Sequence, residues 1–240
     1  MVRKTALVNG AIYHVYNRGV EKRCVFGAEK DYLRFVHDLF EFNDVAPAFN
    51  TVYYSSGSHR TAQELRKPRK LLLEILCFCL MPDHYHLLVR QRVENGITEF
   101  MRKLGTGYTN YFNQKYQRVG PLFQGKFKSV QITRQAHLLH LPHYIHLNPL
   151  DLRMPEWRRG RLRSAANALA FLESYRWSSY RDYLGAKNFP SVTQRDFIRS
   201  IYGSRTSIDY EEEVRQWLEH LDFEPVQDLT IEKPMEVGLR

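Results

Sequence analysis

The chain has 240 residues, 43% of them hydrophobic, which is enough for one substantial core and a smaller addition. No apolar run approaches the roughly 20 residues of a membrane span, and the first residues lack the long apolar segment of a secretory signal. We therefore expect a cytoplasmic protein without membrane association. Lys and Arg outnumber Asp and Glu by 35 to 26, giving a net charge of +9. Basic groups interleaved with 15 Tyr and 14 Phe favour single-stranded nucleic acid as the partner, although a merely solvated basic surface has the same composition.

The first elements are predicted from their periodicity. Residues 11–17 are β-branched and aromatic and precede Gly19, which indicates a strand closed by a glycine turn. From Glu29 to Phe42 the apolar residues recur at three- and four-residue spacing, which predicts an amphipathic helix. Residues 43–70 lack a period and are predicted to form a long surface excursion, with a short helix at Thr61–Leu65.

A β-hairpin is predicted next, and it carries the most informative residues. The apolar run 71–80 is interrupted by a turn at Pro82 and Asp83, and a second apolar run follows. His84 and His86 open this second strand. Because a strand repeats every two residues, both imidazoles project from one face and can bind one metal ion. Two histidines at this spacing also occur by chance, but a polar pair at the centre of a sheet needs a purpose.

Cysteines give a weaker indication. The chain has three, and Cys77 and Cys79 lie two residues apart in the first strand of the hairpin. They are interpreted as small buried residues, and a disulfide framework is not expected. A zinc site that combines them with the histidines lacks the usual Cys-x-x-Cys spacing.

The order of elements predicts the fold class. A helix is expected over Gly96–Lys115, and a strand over the segment in which Lys126 and Lys128 alternate. The predicted order of elements is strand, helix, strand, strand, helix, strand. This order is typical of the α+β, ferredoxin-like split βαβ arrangement with an antiparallel sheet. Its first and third strands are central neighbours, so we expect His14 and Asn17 near the histidine pair. His14 then either lines the site or is a hydrogen-bonded core residue.

The remaining chain is predicted to be mostly helical. A helix over Gln135–Asn148 places Tyr144 and Asn148 on one face, one turn apart, and Pro142 either kinks this helix or begins it. We expect a domain at 1–150 and a basic helical extension at 151–240. Helices are predicted within the extension at 165–172, 192–202 and 210–221, and a loosely held tail at 223–240.

Five separated segments resemble a known family. They are Tyr13-His14-Val15-Tyr16-Asn17-Arg18-Gly19, Met81-Pro82-Asp83-His84-Tyr85-His86-Leu87-Leu88-Val89, Gly120-Pro121-Leu122-Phe123-Gln124-Gly125-Lys126-Phe127-Lys128, Tyr144-Ile145-His146-Leu147-Asn148-Pro149 and Trp177-Ser178-Ser179-Tyr180. In this order they resemble the single-tyrosine transposases of the IS200/IS605 type, and most closely the REP-associated tyrosine transposases. The resemblance spans about residues 10 to 185.

The resemblance implies a histidine-hydrophobic-histidine (HUH) nuclease that acts on single-stranded or hairpin-containing DNA. It implies a divalent metal, Mg or Mn, held by His84 and His86, and Tyr144 as the nucleophile that forms a 5′-phosphotyrosine intermediate. Asn148 is the candidate third ligand, since it would approach from the same helix face as the tyrosine. Tyr108 and Tyr111 on the preceding helix are rival nucleophiles.

Further expectations concern DNA contacts and alternative functions. Five basic residues are candidates for DNA binding: Arg18, Lys126, Lys128, Arg158 and Arg159. A non-catalytic module that binds single-stranded DNA or RNA has the same sheet topology. A replication initiator of the same nuclease superfamily is a third possibility, and the protein is expected to act as a monomer or a homodimer.

Overall fold

A four-stranded antiparallel sheet with strand order β2-β3-β1-β4 forms the centre of the molecule. The computed structural model describes residues 7–47, 69–202 and 207–220, with 207–209 described by their backbone alone. The strands are β1 (Ile12–Arg18), β2 (Leu73–Met81), β3 (His84–Gln91) and β4 (Lys128–Ile132). The short helix predicted at 61–65 and the tail predicted at 223–240 lie outside the described residues.

Two helices complete the ferredoxin-like unit. α1 (Glu29–Glu41) joins β1 to β2, and α2 (Gly96–Lys115) joins β3 to β4. The order β1-α1-β2-β3-α2-β4 confirms the predicted split βαβ arrangement, and β1 pairs with β3 at the centre as expected. The hairpin is also confirmed, because Met81 pairs with His84 across the two-residue turn at Pro82 and Asp83.

The two faces of the sheet bury separate cores because side chains alternate along each strand. On one face, Tyr85, Leu87 and Val89 of β3 pack with α1 and α2. On the other face, Leu88 packs with the helices that follow β4. The histidine pair lies on this second face, at the start of β3.

Helices that follow the sheet cover the second face. They are α3 (Gln135–Leu147), α4 (Ala165–Ser174), α5 (Tyr180–Tyr183), α6 (Asp196–Tyr202) and α7 (Ser207–His220), with 3₁₀ helices at Asn148–Leu152 and Pro155–Arg159. Trp157 is fully buried among them. Residues on both sides of position 150, where the sequence predicts a domain boundary, therefore share one core.

The segment Trp177–Ser179 closes the outer edge of β2. The amide of Leu80 donates to the carbonyl of Trp177 at 2.9 Å, and the amide of Ser179 donates to the carbonyl of Phe78 at 3.0 Å. These bonds satisfy an edge that would otherwise be open to strand pairing.

Three element boundaries differ from those predicted. β4 begins at Lys128, so Lys126 lies in the preceding loop and does not alternate with Lys128 on a strand. α6 begins at Asp196 instead of residue 192. α3 runs through Pro142 and ends at Leu147, so the helix does not begin at the proline. Among the described residues, no helix is both long and apolar enough to span a bilayer.

Candidate active site

The site begins with the histidine pair on β3. His84 and His86 are both buried, and their ring centroids lie 5.0 Å apart with the rings nearly perpendicular. Their two-residue spacing on an extended strand places both on the face covered by α3. The prediction that they share one face is confirmed.

Each imidazole is oriented by a neighbour at its Nδ1 atom. His84 Nδ1 lies 2.5 Å from the Oδ1 atom of Asp83, and the other carboxylate oxygen of Asp83 pairs with Arg18 Nε at 3.1 Å. His86 Nδ1 lies 2.9 Å from His14 Nε2, a contact in which one of the two rings donates. This pattern fixes ring orientation and is typical of histidines that bind metal through Nε2.

The electrostatics of the site favour the neutral, ligating form of His86. Burial holds the pKa of His86 well below its ordinary value, and electrostatic repulsion from the nearby basic groups, His84, His14, Arg158 and Arg18, lowers it further. A neutral imidazole is the form that binds metal.

Tyr144 lies directly against the histidine pair. Its ring centroid is 5.9 Å from that of His86, and the two rings are perpendicular. The side chain is 1% exposed, and Arg158 Nη1 donates to its hydroxyl at 3.2 Å. A phosphate can therefore reach this hydroxyl only if neighbouring groups move.

Asn148 is joined to Tyr144 by hydrogen bonds. It follows α3 directly, and its Nδ2 donates to the carbonyl of Tyr144 at 2.8 Å. Its Oδ1 accepts from Arg158 Nη2 at 3.1 Å. The predicted nucleophile and the predicted third ligand thus come from consecutive turns at the end of α3.

The rival tyrosines lie on the opposite face of the sheet. Tyr108 donates to the carbonyl of Val25 at 2.6 Å, and Tyr111 donates to Asp31 at 3.0 Å. Asp31 is fully buried and also accepts from the Lys115 ammonium. Both rivals therefore hold α2 in place, away from the histidine pair.

The donor set of His84, His86 and Asn148 suits a divalent metal. Two neutral imidazoles and one amide oxygen combine nitrogen and oxygen ligands and leave coordination positions for phosphate or water. The described ranges contain no group of three or more His, Cys, Asp or Glu side chains that could hold a metal ion, so the third ligand would have to come from another residue type. The same finding gives the cysteine-containing zinc site no support in these ranges.

Other basic candidates occupy three kinds of position. Lys128 is exposed on the edge strand β4, in register with Tyr16, while Lys126 is exposed beside a cavity of about 950 Å³ between α2 and the loop before β4. Arg159 is exposed on the second 3₁₀ helix. Arg158, expected to contact DNA, points into the protein.

One expectation about β1 is wrong. Asn17 lies opposite Tyr85 and faces the α1 and α2 side, where its Nδ2 donates to the carbonyl of Gly125. Positions 14 and 17 differ by an odd number, so their side chains leave an extended strand on opposite faces. His14 does contact the site, through His86, and is fully buried as well.

Sequence reasoning missed the roles of Asp83 and Asp151. Asp83 directly precedes His84, and this adjacency was the available signal. Asp151 accepts a hydrogen bond from Arg158 Nε at 2.7 Å, and the same arginine donates to the hydroxyl of Tyr144. No periodicity or motif indicates such a contact.

A family model supports the resemblance over part of the chain. Residues 60–148 match a family model described as IS200-like transposase. No curated protein matches the chain. A solved structure of a REP-associated tyrosine transposase bound to a REP hairpin is 12% identical, with 81% of this chain and 90% of that chain covered and a TM-score of 0.48. The family match confirms, over residues 60–148, the resemblance to IS200-like transposases that the motifs predict.

Proposed function

We propose that the chain is a metal-dependent single-strand DNA endonuclease and strand transferase with Tyr144 as its nucleophile. The observation that carries this proposal is the perpendicular contact between the Tyr144 ring and the His86 ring, 5.9 Å apart, on the face that holds both histidines. A phenol and a paired-imidazole site so close together can act on one phosphodiester.

The proposed step exchanges one phosphoester bond for another. The Tyr144 oxygen bonds to phosphorus, the bond between phosphorus and the 3′ oxygen breaks, and the phenol proton passes through water to that oxygen. The products are a 5′-phosphotyrosine and a free 3′-hydroxyl, which can later reverse the step. His84, His86 and Asn148 would hold Mg²⁺ or Mn²⁺, which would neutralise charge on the phosphate oxygens.

Hairpin-containing single-stranded DNA is the proposed substrate. The motif resemblance supports this choice, and so do the net charge of +9 and the exposed side chains of Lys126, Lys128 and Arg159. Arg18 lies at the edge of the site, paired with Asp83, where it could meet a phosphate. We propose a cytoplasmic protein that acts as a monomer or a homodimer.

Covalent trapping tests the proposal. An oligonucleotide that contains a hairpin is incubated with the protein and Mg²⁺ or Mn²⁺, and the adduct is detected on a denaturing gel. We expect an adduct that disappears on chelation, in Tyr144→Phe and in His84→Ala. Tyr111→Phe is the matched control, because it removes one hydroxyl from the opposite face and should leave the adduct intact.

Two outcomes would contradict the proposal. An adduct that persists in Tyr144→Phe would place the nucleophile elsewhere. DNA binding that survives chelation, with no cleavage of any strand by the wild-type protein, would favour the non-catalytic binding module.

A further inference from the structure

Arg158 forms hydrogen bonds to the proposed nucleophile, Tyr144, and to two side chains beside it. Nη1 donates to the hydroxyl of Tyr144 at 3.2 Å, and Nη2 donates to Oδ1 of Asn148 at 3.1 Å. Nε and Nη2 donate to the two carboxylate oxygens of Asp151, each at 2.7 Å. All three guanidinium nitrogens are thus engaged within the protein, and the side chain is 20% exposed.

Asp151 fixes the direction of this guanidinium. The two parallel bonds to its carboxylate are the bidentate geometry that holds an arginine fork in one plane. Asp151 is itself held, because Trp157 Nε1 donates to its Oδ1 at 2.7 Å. With one edge of the fork fixed in this way, Nη1 is directed at the Tyr144 oxygen.

We propose that Arg158 stabilises negative charge on the Tyr144 oxygen during DNA cleavage and during strand joining, a role that rests on the proposed function. In the joining step a 3′-hydroxyl bonds to phosphorus, and the bond from phosphorus to the tyrosine oxygen breaks. The phenolate leaves with the electron pair, and the proton of the attacking hydroxyl reaches it through water. The guanidinium remains protonated throughout and supplies a fixed positive charge at the oxygen where charge develops.

The arrangement favours this role over a direct contact with DNA. A DNA phosphate would have to displace Asp151 or Asn148 to gain a paired contact with Arg158. A lysine at this position could place one charge near the tyrosine but could not bridge three partners in a plane. The inference therefore predicts different behaviour for Arg158→Met and Arg158→Lys.

The contact can be tested without DNA or metal. Urea unfolding is measured for wild type, Arg158→Met, Tyr144→Phe and the double variant. We expect Tyr144→Phe to lower the midpoint in wild type but to have little further effect in Arg158→Met. Lys187→Met, an exposed substitution with the same charge change, should be additive with Tyr144→Phe. Additive effects of Arg158→Met would overturn the proposal.

The chemical role is tested by single-turnover rates at saturating hairpin DNA. Arg158→Met should lower the rates of adduct formation and of joining by roughly 100-fold, the usual effect of removing one donor to a developing oxyanion. Both rates should also stay well below those of wild type in Arg158→Lys, and they should equal those of wild type in Lys187→Met. The DNA affinity of Arg158→Met, measured in the presence of chelator, should equal that of wild type.

The outcomes separate the two proposals. Weaker DNA binding by Arg158→Met with a normal rate at saturation would show a phosphate contact and overturn the inference. Rates of adduct formation and of joining in Arg158→Met equal to those of wild type would also overturn the inference. A wild-type protein that forms no adduct would refute the proposed function, and this role with it, even where unfolding shows the coupling.

Discussion

The contact between His14 and His86 allows a quantitative prediction about the metal site. His14 Nε2 lies 2.9 Å from His86 Nδ1, the two rings are stacked, and both residues are fully buried. The substitution His14→Leu fills the space with an apolar side chain of similar size and removes this hydrogen-bond partner. His86 then loses the group that orients its ring towards the proposed ion.

Two magnitudes follow from this geometry. Removing one partner of a buried hydrogen bond costs about 1–3 kcal/mol of unfolding free energy. Removing a group that orients a metal-ligating histidine lowers metal affinity by about 10–100-fold, which corresponds to about 1.4–2.8 kcal/mol of binding free energy.

Calorimetric titration with Mn²⁺ measures the affinity, and urea unfolding measures the stability. Asn43→Leu is the matched control, because Asn43 is also buried and makes two hydrogen bonds to the backbone of Leu73, far from the histidines. Asn43→Leu should lose about as much unfolding free energy as His14→Leu and should bind Mn²⁺ with the affinity of wild type. Mn²⁺ affinity in His14→Leu equal to that of wild type would refute the reasoning.

Three further predictions concern stability and are measured by urea unfolding. Asp31→Asn should cost about 3 kcal/mol, because this buried carboxylate accepts from a lysine ammonium and two tyrosine hydroxyls; a loss below about 1 kcal/mol would contradict it. Burial lowers the pKa of His143 and of His146 to about 3, so the unfolded chain takes up protons first as the pH falls below about 6.5. Stability should therefore decline from about pH 6.5 towards pH 3, by up to about 1.4 kcal/mol per pH unit for each histidine, and a flat profile would be inconsistent with neutral burial. Gly105→Ala should stabilise the protein by about 0.5–1 kcal/mol, because an added Cβ meets nothing within 4 Å. Gly96→Ala should destabilise it, because its Cβ would lie 2.2 Å from a backbone carbonyl oxygen. A stabilising Gly96→Ala together with a destabilising Gly105→Ala would contradict the packing of α2.

Sequence periodicity predicted the sheet and the histidine pair because both depend on local geometry. The alternation that brings His84 and His86 to one face is a property of any strand, and the turn at Pro82 and Asp83 fixed where that strand begins. The same alternation places His14 and Asn17 on opposite faces of β1. Element order then predicted which strands are neighbours.

Contacts that depend on the path of irregular segments could not be predicted from the sequence. Arg158 belongs to a run of basic residues, and its composition suggests exposure and DNA binding. Its actual partners are Asp151, Asn148 and Tyr144, which the 3₁₀ helix Pro155–Arg159 brings within hydrogen-bonding distance of its guanidinium, and no local pattern predicts that arrangement. The edge contact of Trp177 with β2 is of the same kind.

The identity of the tyrosine that becomes attached to DNA tests the account most directly. After trapping with a hairpin oligonucleotide and Mn²⁺, the adduct is digested with trypsin and nuclease and analysed by mass spectrometry. The tryptic peptide Gln135–Arg153 contains one tyrosine, Tyr144, whereas Tyr108 and Tyr111 share the peptide Leu104–Lys115. We predict the nucleotide on Gln135–Arg153; a nucleotide on Leu104–Lys115 would contradict the account.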